Sequence, residues 1–394
     1  MRDKLNRSQV ALLSSLARAL FAASITFFLF PASPSYASNI AAITVAPMGI
    51  PFLLDDEGQV WAFRKPLSFE EPIKLPNLNH IKKIAPYIAV DTNGQVYTWS
   101  LNPIKTDWGE DGLNEAVYNT PQRVENLQGV TLVASSGDNY FVAVIGNKDI
   151  VEWLAIRDKS GLGAVTNGPI RTVISRMGVK AVTVFWTPEV VSTVGVVIYP
   201  VASSLVALFD EGTVMGWGIK PSGAATRGSD RKGILLTQSP GATEVSMNAM
   251  HTVILTANGV PQFWGGCDGY RDGKDFNGNQ WPSRNNEGVD GYVVDVIGMS
   301  LFSGYDNVKP DVFIKRDGTV WAALAPEPSG MLGRDCYLSA GKKGQLWQLP
   351  AGRSAAVQVA AGESILMLDA EHKLWTTAGS WMNTKFHNVS INLK

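Results

Sequence analysis

The chain has 394 residues, 45% of them hydrophobic, with 34 basic and 35 acidic side chains. That length is enough to bury a large core. The near-neutral balance, with no basic excess gathered on one stretch, argues against a nucleic-acid binder.

Residues 1–37 read as a secretory leader. Arg2, Lys4, Arg7 and Arg18 form a basic n-region, ALFAASITFFLF (19–30) is an uncharged apolar core of 12 residues, and Ser35-Tyr36-Ala37 is a small-x-small cleavage site. The apolar run is short for a bilayer span, so an uncleaved anchor is the weaker alternative. No cysteine near the site suggests a lipid anchor. Cleavage after Ala37 leaves residues 38–394, a single 357-residue domain with 30 basic and 34 acidic side chains and a net charge of −4. A secreted or periplasmic location is expected, with no membrane span in the mature chain.

From there one pattern recurs: strand, tight turn, strand. Aligned without gaps on the turn residue, the copies are PFLLDDEGQVWAF (51–63), YIAVDTNGQVYTW (87–99), FVAVIGNKDIVEW (141–153), LVALFDEGTVMGW (205–217), TVILTANGVPQFW (252–264), DVFIKRDGTVWAA (311–323) and ILMLDAEHKLWTT (365–377). The turn positions are Gly58, Gly94, Lys148, Gly212, Gly259, Gly318 and His372, spaced between 36 and 64 residues apart. Units that differ mainly in loop length point to a repeat array. Asn93-Gly94 suits a two-residue type I′ hairpin, in which both central residues need positive φ. Asn147 tolerates the left-handed region in the third copy, and Glu371-His372 is the weakest match. Trp61, Trp99, Trp153, Trp217, Trp264, Trp321 and Trp375 fall at or near the end of the second strand, where one aromatic per unit suits packing better than a ligand cage. A β-branched strand precedes most hairpins, as in ITVA (43–46), IKKIA (81–85), VTLVA (130–134) and VQVAAG (357–362). At least three strands in about 50 residues is the arithmetic of a propeller blade.

The stretch VVSTVGVVIYPVASSLVALF (190–209) has no charge and could pass for a membrane helix. Its Val and Ser content, Pro200 and its register with the fourth hairpin favour two strands with a turn near Tyr199-Pro200. Long insertions follow the Trp end of the hairpins at 101–121, 155–169, 219–233, 265–288 and 326–345. Occupying the same point of each unit, they are expected on one face, a common place for a binding surface. They carry Trp108, Tyr118, Arg227, Arg231, Tyr270, Arg271, Trp281, Arg284 and Tyr337, residue types that dominate interface energies and therefore the candidate partner-binding set. Cys267 and Cys336 lie in two successive insertions and can pair in an oxidising compartment, two separate thiols being the alternative. Asp268, Asp272, Asp275, Asn277 and Asn279 could supply oxygen to calcium, although the register is not that of an EF-hand and such loops are ordinary turn chemistry. The tail, 385–393, has strand composition. A propeller seam left open would expose an unpaired edge, so strands from both termini are expected to close the ring within one blade, with residues 40–46 at the other end.

The passages VAAGESILMLDAEHKLW (359–375), VSMNAMHTVILTANGVPQFWG (245–265) and LVALFDEGTVMGWG (205–218) resemble the repeats of the regulator of chromosome condensation (RCC1) family, and the resemblance extends over the chain beyond residue 40. It implies an all-β, seven-bladed propeller, and it places His251 where such repeats carry a structural histidine. The other histidines are His80, His372 and His387; no zinc spacing, nucleophile elbow or phosphate loop is present, and no catalytic residue, metal or cofactor is assigned. The resemblance also implies protein recognition. An exported, monomeric scaffold that binds another protein through one propeller face, without catalysis of its own, is the expected function. The alternatives are a nucleotide-exchange regulator of a small GTPase and an exported propeller hydrolase or lyase.

Overall fold

Strand order and contacts come from a computed structural model that describes residues 39–46, 49–64, 72–102, 116–137, 139–156, 166–187, 190–191, 197–199, 202–219, 233–247, 251–265, 296–300, 311–323, 346–349, 354–362, 365–377, 386–389, 391 and 393. These residues form seven antiparallel sheets of three or more strands, each built from a continuous piece of chain. The first sheet comprises Ile40–Val45, Pro51–Asp55, Val60–Ala62 and Ile73–Lys74, and the second Ile81–Ala85, Ile88–Asp91, Val96–Thr98 and Gln122–Arg123. The third comprises Val130–Ser136, Tyr140–Ile145 and Asp149–Ile156, the last pairing with both Arg171–Ser175 and Thr166–Asn167. The fourth comprises Val179–Thr187, Ala202–Phe209, Thr213–Ile219 and Ile234–Gln238. The fifth has Glu244–Met247, His251–Leu255 and Pro261–Gly265; the sixth Val296–Ser300, Asp311–Lys315, Val320–Ala323 and Leu346–Leu349. Ala356–Ala361, Ile365–Asp369, Leu374–Thr376 and His387–Val389 complete the seventh. Each sheet touches the next through its first strand, and the first strand of sheet one packs on the first two strands of sheet seven. A circuit of sheets that returns to its beginning is a β-propeller, and the sheets are its blades.

Burial follows from that circuit. Strands flanked by blades on both faces lose their polar side: Pro51–Asp55 and Ile365–Asp369 are buried at every position. This is why the second strands read as apolar runs rather than alternating ones.

The hairpin turns differ from the two-residue form expected from Asn93-Gly94. Of that pair only Gly94 has positive φ, at 77°. Asp91 accepts the Gly94 N–H at its carbonyl (3.0 Å), and its N–H donates to the carbonyl of Gln95 (3.0 Å), so three residues make the loop. Oδ1 of Asp91 also accepts the N–H groups of Asn93 (2.9 Å) and Gln95 (2.8 Å). Asp55 and Asp369 repeat this bonding in blades one and seven, and their second oxygens accept the indole N–H of Trp61 and Trp375, both at 2.8 Å. The carboxylate holds the turn in its three-residue form and leaves a single left-handed position. His372 fills that position at φ 62° in blade seven, whereas blade three uses consecutive left-handed residues, Gly146 and Asn147.

The turn carbonyl then binds the next blade. Gly58 accepts the N–H of Ile81 (3.0 Å), Gly94 that of Val130 (3.1 Å) and Asn147 that of Val179 (3.2 Å). Gly259 accepts from Val296 (2.8 Å) and Gly318 from Ala356 (3.0 Å), whereas the carbonyl of Gly212 accepts from Ser239 (2.8 Å), which follows the fourth strand of its own blade. A Cβ on Gly94 would lie 2.8 Å from Val130 N, and one on Gly212 would lie 2.2 Å from Ser239 O. Glycine is needed there for backbone conformation and for close approach alike. At the seam the link changes: Nδ1 of His372 donates to the carbonyl of Ile40 (2.9 Å). Gln358 adds an amide clip, its Oε1 accepting from Ile43 N–H (3.1 Å) and its Nε2 donating to Ile43 O (2.9 Å). Strands from the two termini do close the ring, but in adjacent blades and not within one shared sheet. Side chains satisfy the exposed edge of Ile40–Val45, so a shared strand is not required.

Within the uncharged stretch 190–209, Val190–Val191 pairs with Val197–Tyr199 and Ala202–Phe209 is a strand; Pro200 of the expected turn lies outside the described residues. Among the described residues no helix is long and apolar enough to cross a membrane.

Gly212→Ala is expected to cost about 1–3 kcal/mol in urea unfolding, from the left-handed φ and the collision with Ser239. Gln358→Leu, which leaves both polar groups of Ile43 without their amide, is expected to cost about 1–3 kcal/mol and to speed hydrogen exchange at the Ile43 amide before the middle blades open.

Candidate functional site

In a meander of antiparallel strands, every connection between third and fourth strands leaves on the face opposite the hairpin turns. The described third strands therefore end on that face, and the described side chains at its rim cluster around blades two and three. The third strand of blade three, Asp149–Ile156, runs eight residues, against three for Val60–Ala62 and Val96–Thr98. Its overrun, Ala155 and Ile156, pairs with Asn167 and Thr166 as a small ribbon. Leu154 and Ile156, on one side of that ribbon, are each 49% exposed.

Beside the ribbon lies a cavity of about 190 Å³, lined by Thr98, Trp99, Ser100, Asn119, Thr120, Gln122, Phe141, Thr166 and Asn167. Seven of the nine carry a hydroxyl or an amide and none carries a charge. Asn167 is fixed by its Oδ1, which accepts from Thr98 Oγ1 (3.0 Å) and from the indole N–H of Trp153 (2.8 Å). Asn119 donates from Nδ2 to Ser100 Oγ (2.9 Å) and from its backbone N–H to Ser100 O (2.9 Å). Trp99 stands at the same offset from its turn as Trp153, but its indole N–H is buried without a partner.

The electrostatics near the ribbon are local. Glu152 is buried, accepts from the hydroxyl of Tyr140 and pairs with Arg171 across the strand. Burial pushes the Tyr140 phenol well above its ordinary value, the nearby Arg171 opposing the shift. Among the described residues no three His, Cys, Asp or Glu side chains gather as metal ligands.

Of the candidate partner-binding residues, only Tyr118 is described, and it is turned inward. Its ring meets Phe52 edge-on at 5.8 Å, and its hydroxyl donates to Phe63 O (2.6 Å). Burial raises its phenol pKa. Tyr118 ties the returning loop of blade two to blade one, because the isolated bridge it makes with Leu101 pulls the chain back over the sheet. Trp108, Arg227, Arg231, Tyr270, Arg271, Trp281, Arg284 and Tyr337 lie outside the described residues. So do Cys267 and Cys336, the calcium candidates Asp268, Asp272, Asp275, Asn277 and Asn279, and the leader. The tryptophans fall into two registers. Those three residues after the turn position bond back to the turn; Trp99 and Trp153, five after it, close the opposite end of the hairpin. The cavity's Asn119 and Asn167 escaped the sequence reading because neither repeats between units. The shared offset of Trp99 and Trp153 was the one available pointer to that end.

No family model and no curated protein sequence matches the chain. Among solved structures it is similar to yeast RCC1 (Prp20) bound to Kap60, with 14% identity over 89% of this chain and 84% of that one and a TM-score of 0.46. Human WBSCR16 is similar at 14% identity over 87% and 88%, TM-score 0.48. Prp20p from Saccharomyces cerevisiae, studied for binding to Gsp1p and histones, is similar at 13% over 88% and 75%, TM-score 0.38. These likenesses concern strand arrangement. The propeller itself is read from the circuit of sheets.

Tyr118 and Tyr140 give a pH test. A phenol whose folded pKa is raised contributes stability that is full below the unfolded value, near 10, and lost as pH rises beyond it. Thermal unfolding of the wild type is expected to weaken above pH 10, and Tyr118→Phe is expected to flatten that decline while costing about 1 kcal/mol at neutral pH.

Proposed function

We propose that the protein is an exported scaffold that binds another protein through the insertion-bearing face of the propeller and has no catalysis of its own. The observation that carries this reading is the ribbon of blade three, which presents Leu154 and Ile156 half-exposed beside polar, uncharged neighbours. Aliphatic side chains held out by a rigid strand pair, with a polar surround, are what a protein interface uses. A ring held blade to blade by backbone hydrogen bonds presents its loops from a fixed base, which lowers the entropy lost on association. The leader-like residues 1–37 support export, and the mature net charge of −4 supports a partner other than nucleic acid.

Expression of the full chain in a secreting host is expected to yield a product beginning at Ser38. Immobilised mature protein is expected to capture a specific partner from the same compartment. Leu154→Asp combined with Ile156→Asp should weaken that capture at least about tenfold with the unfolding midpoint unchanged, and Trp108→Ala or Trp281→Ala should do so if their loops take part. Retention in the cytosol, or capture indifferent to all four substitutions, would overturn the reading.

A further inference from the structure

From the cavity between blades two and three we infer a receptor for a neutral carboxamide, contributed by the protein partner as a glutamine or asparagine side chain or as an exposed peptide unit. This rests on the reading that the insertion face binds protein, and it names the chemistry the face selects.

Two independent features lead to it. The walls offer hydroxyls and amides without any ionised group, so a carboxylate, phosphate or ammonium brought here loses its water and gains no counter-charge. The fixed bonding of the two asparagines sets their remaining valences. Asn167 spends its oxygen on Thr98 and Trp153, leaving its NH₂ as donor; Asn119 spends an N–H on Ser100, leaving its carbonyl as acceptor. A donor from Asn167 with an acceptor from Asn119 complements a group that has a carbonyl and an N–H together.

A sugar would use the same hydroxyls and amides but needs an open aromatic face. Neither ring supplies one: Trp99 meets Phe52 edge-on at 5.5 Å and Phe141 is stacked on Trp153 at 5.6 Å, both buried. The surface next to the cavity is aliphatic, Leu154 and Ile156 on the strand paired to Thr166 and Asn167. That combination suits a peptide.

The test follows the Asn167 side-chain amide resonances in ¹⁵N-labelled mature protein, assigned by their loss in Asn167→Ser or, should that variant not fold, by triple-resonance spectra. Acetamide is expected to move the peaks saturably, while acetate at pH 7 and glucose leave them in place. Asn119→Asp, which keeps the size and adds a charge, should weaken the response at least about tenfold. Equal response to the charged probe or to glucose would overturn the inference. So would no response to any probe, the cavity then holding ordered water only. The two readings separate cleanly. Partner capture that survives Asn119→Asp removes the carboxamide receptor and leaves the scaffold; an amide-responsive Asn167 side chain in a protein that captures no partner does the reverse.

Discussion

One hydrogen bond, repeated at five of the turns, organises this molecule: the carbonyl of the turn accepts the N–H at the start of the following blade. It fixes the spacing between blades at the point where the chain passes from one to the next, and it works only if the turn carries no side chain on the side facing its neighbour. The glycines at 58, 94 and 318 are therefore an inter-blade requirement as much as a turn requirement, while Gly212 keeps clear of the chain leaving its own blade. At the seventh position the neighbour is the beginning of the chain, and histidine replaces glycine because a side chain now makes the link. The substitution that looks weakest as a turn is the one that closes the circle.

Each turn also has to be held in the conformation that aims its carbonyl outward. Asp55, Asp91 and Asp369 do this by binding two backbone N–H groups of their own loops, and Thr256 accepts the N–H of Val260 through its hydroxyl (3.1 Å). Blade four has Phe209 at that place, with the guanidinium of Arg176 over the ring at 4.4 Å; blade six has Lys315, whose ammonium lies 5.0 Å from the centre of the Trp321 ring. In these two blades cation–aromatic packing stands where blades one, two and seven place the aspartate, and in blade six Asp317 Oδ1 still accepts the N–H of Thr319 (2.9 Å).

With spacing and turns fixed on one face, the other face is free to vary. Blade three runs its third strand eight residues, against three in blade two, and carries a ribbon there. The chain returning toward Gln122 in blade two and the ribbon of blade three then leave a gap between them, floored by Trp99 and Phe141 and walled by uncharged polar side chains. Tyr118 shows the cost of staying folded at this rim: an aromatic of the kind that serves interfaces is used here to hold the loop down.

The sequence by itself determined the repeat, its number and the strand preceding most hairpins. All of these follow from glycine, alternation and register, which act over a few residues and leave a period behind them. It also flagged His372 and Lys148 as departures, without saying what they were for. Only the tertiary structure decided the three-residue turns, the side-chain closure through Gln358 and His372, the inward fate of Tyr118 and the presence of Asn119 and Asn167 at one cavity. The reason is physical: these depend on which groups meet across tens or hundreds of residues, and a contact made once in the ring imposes no period on the chain.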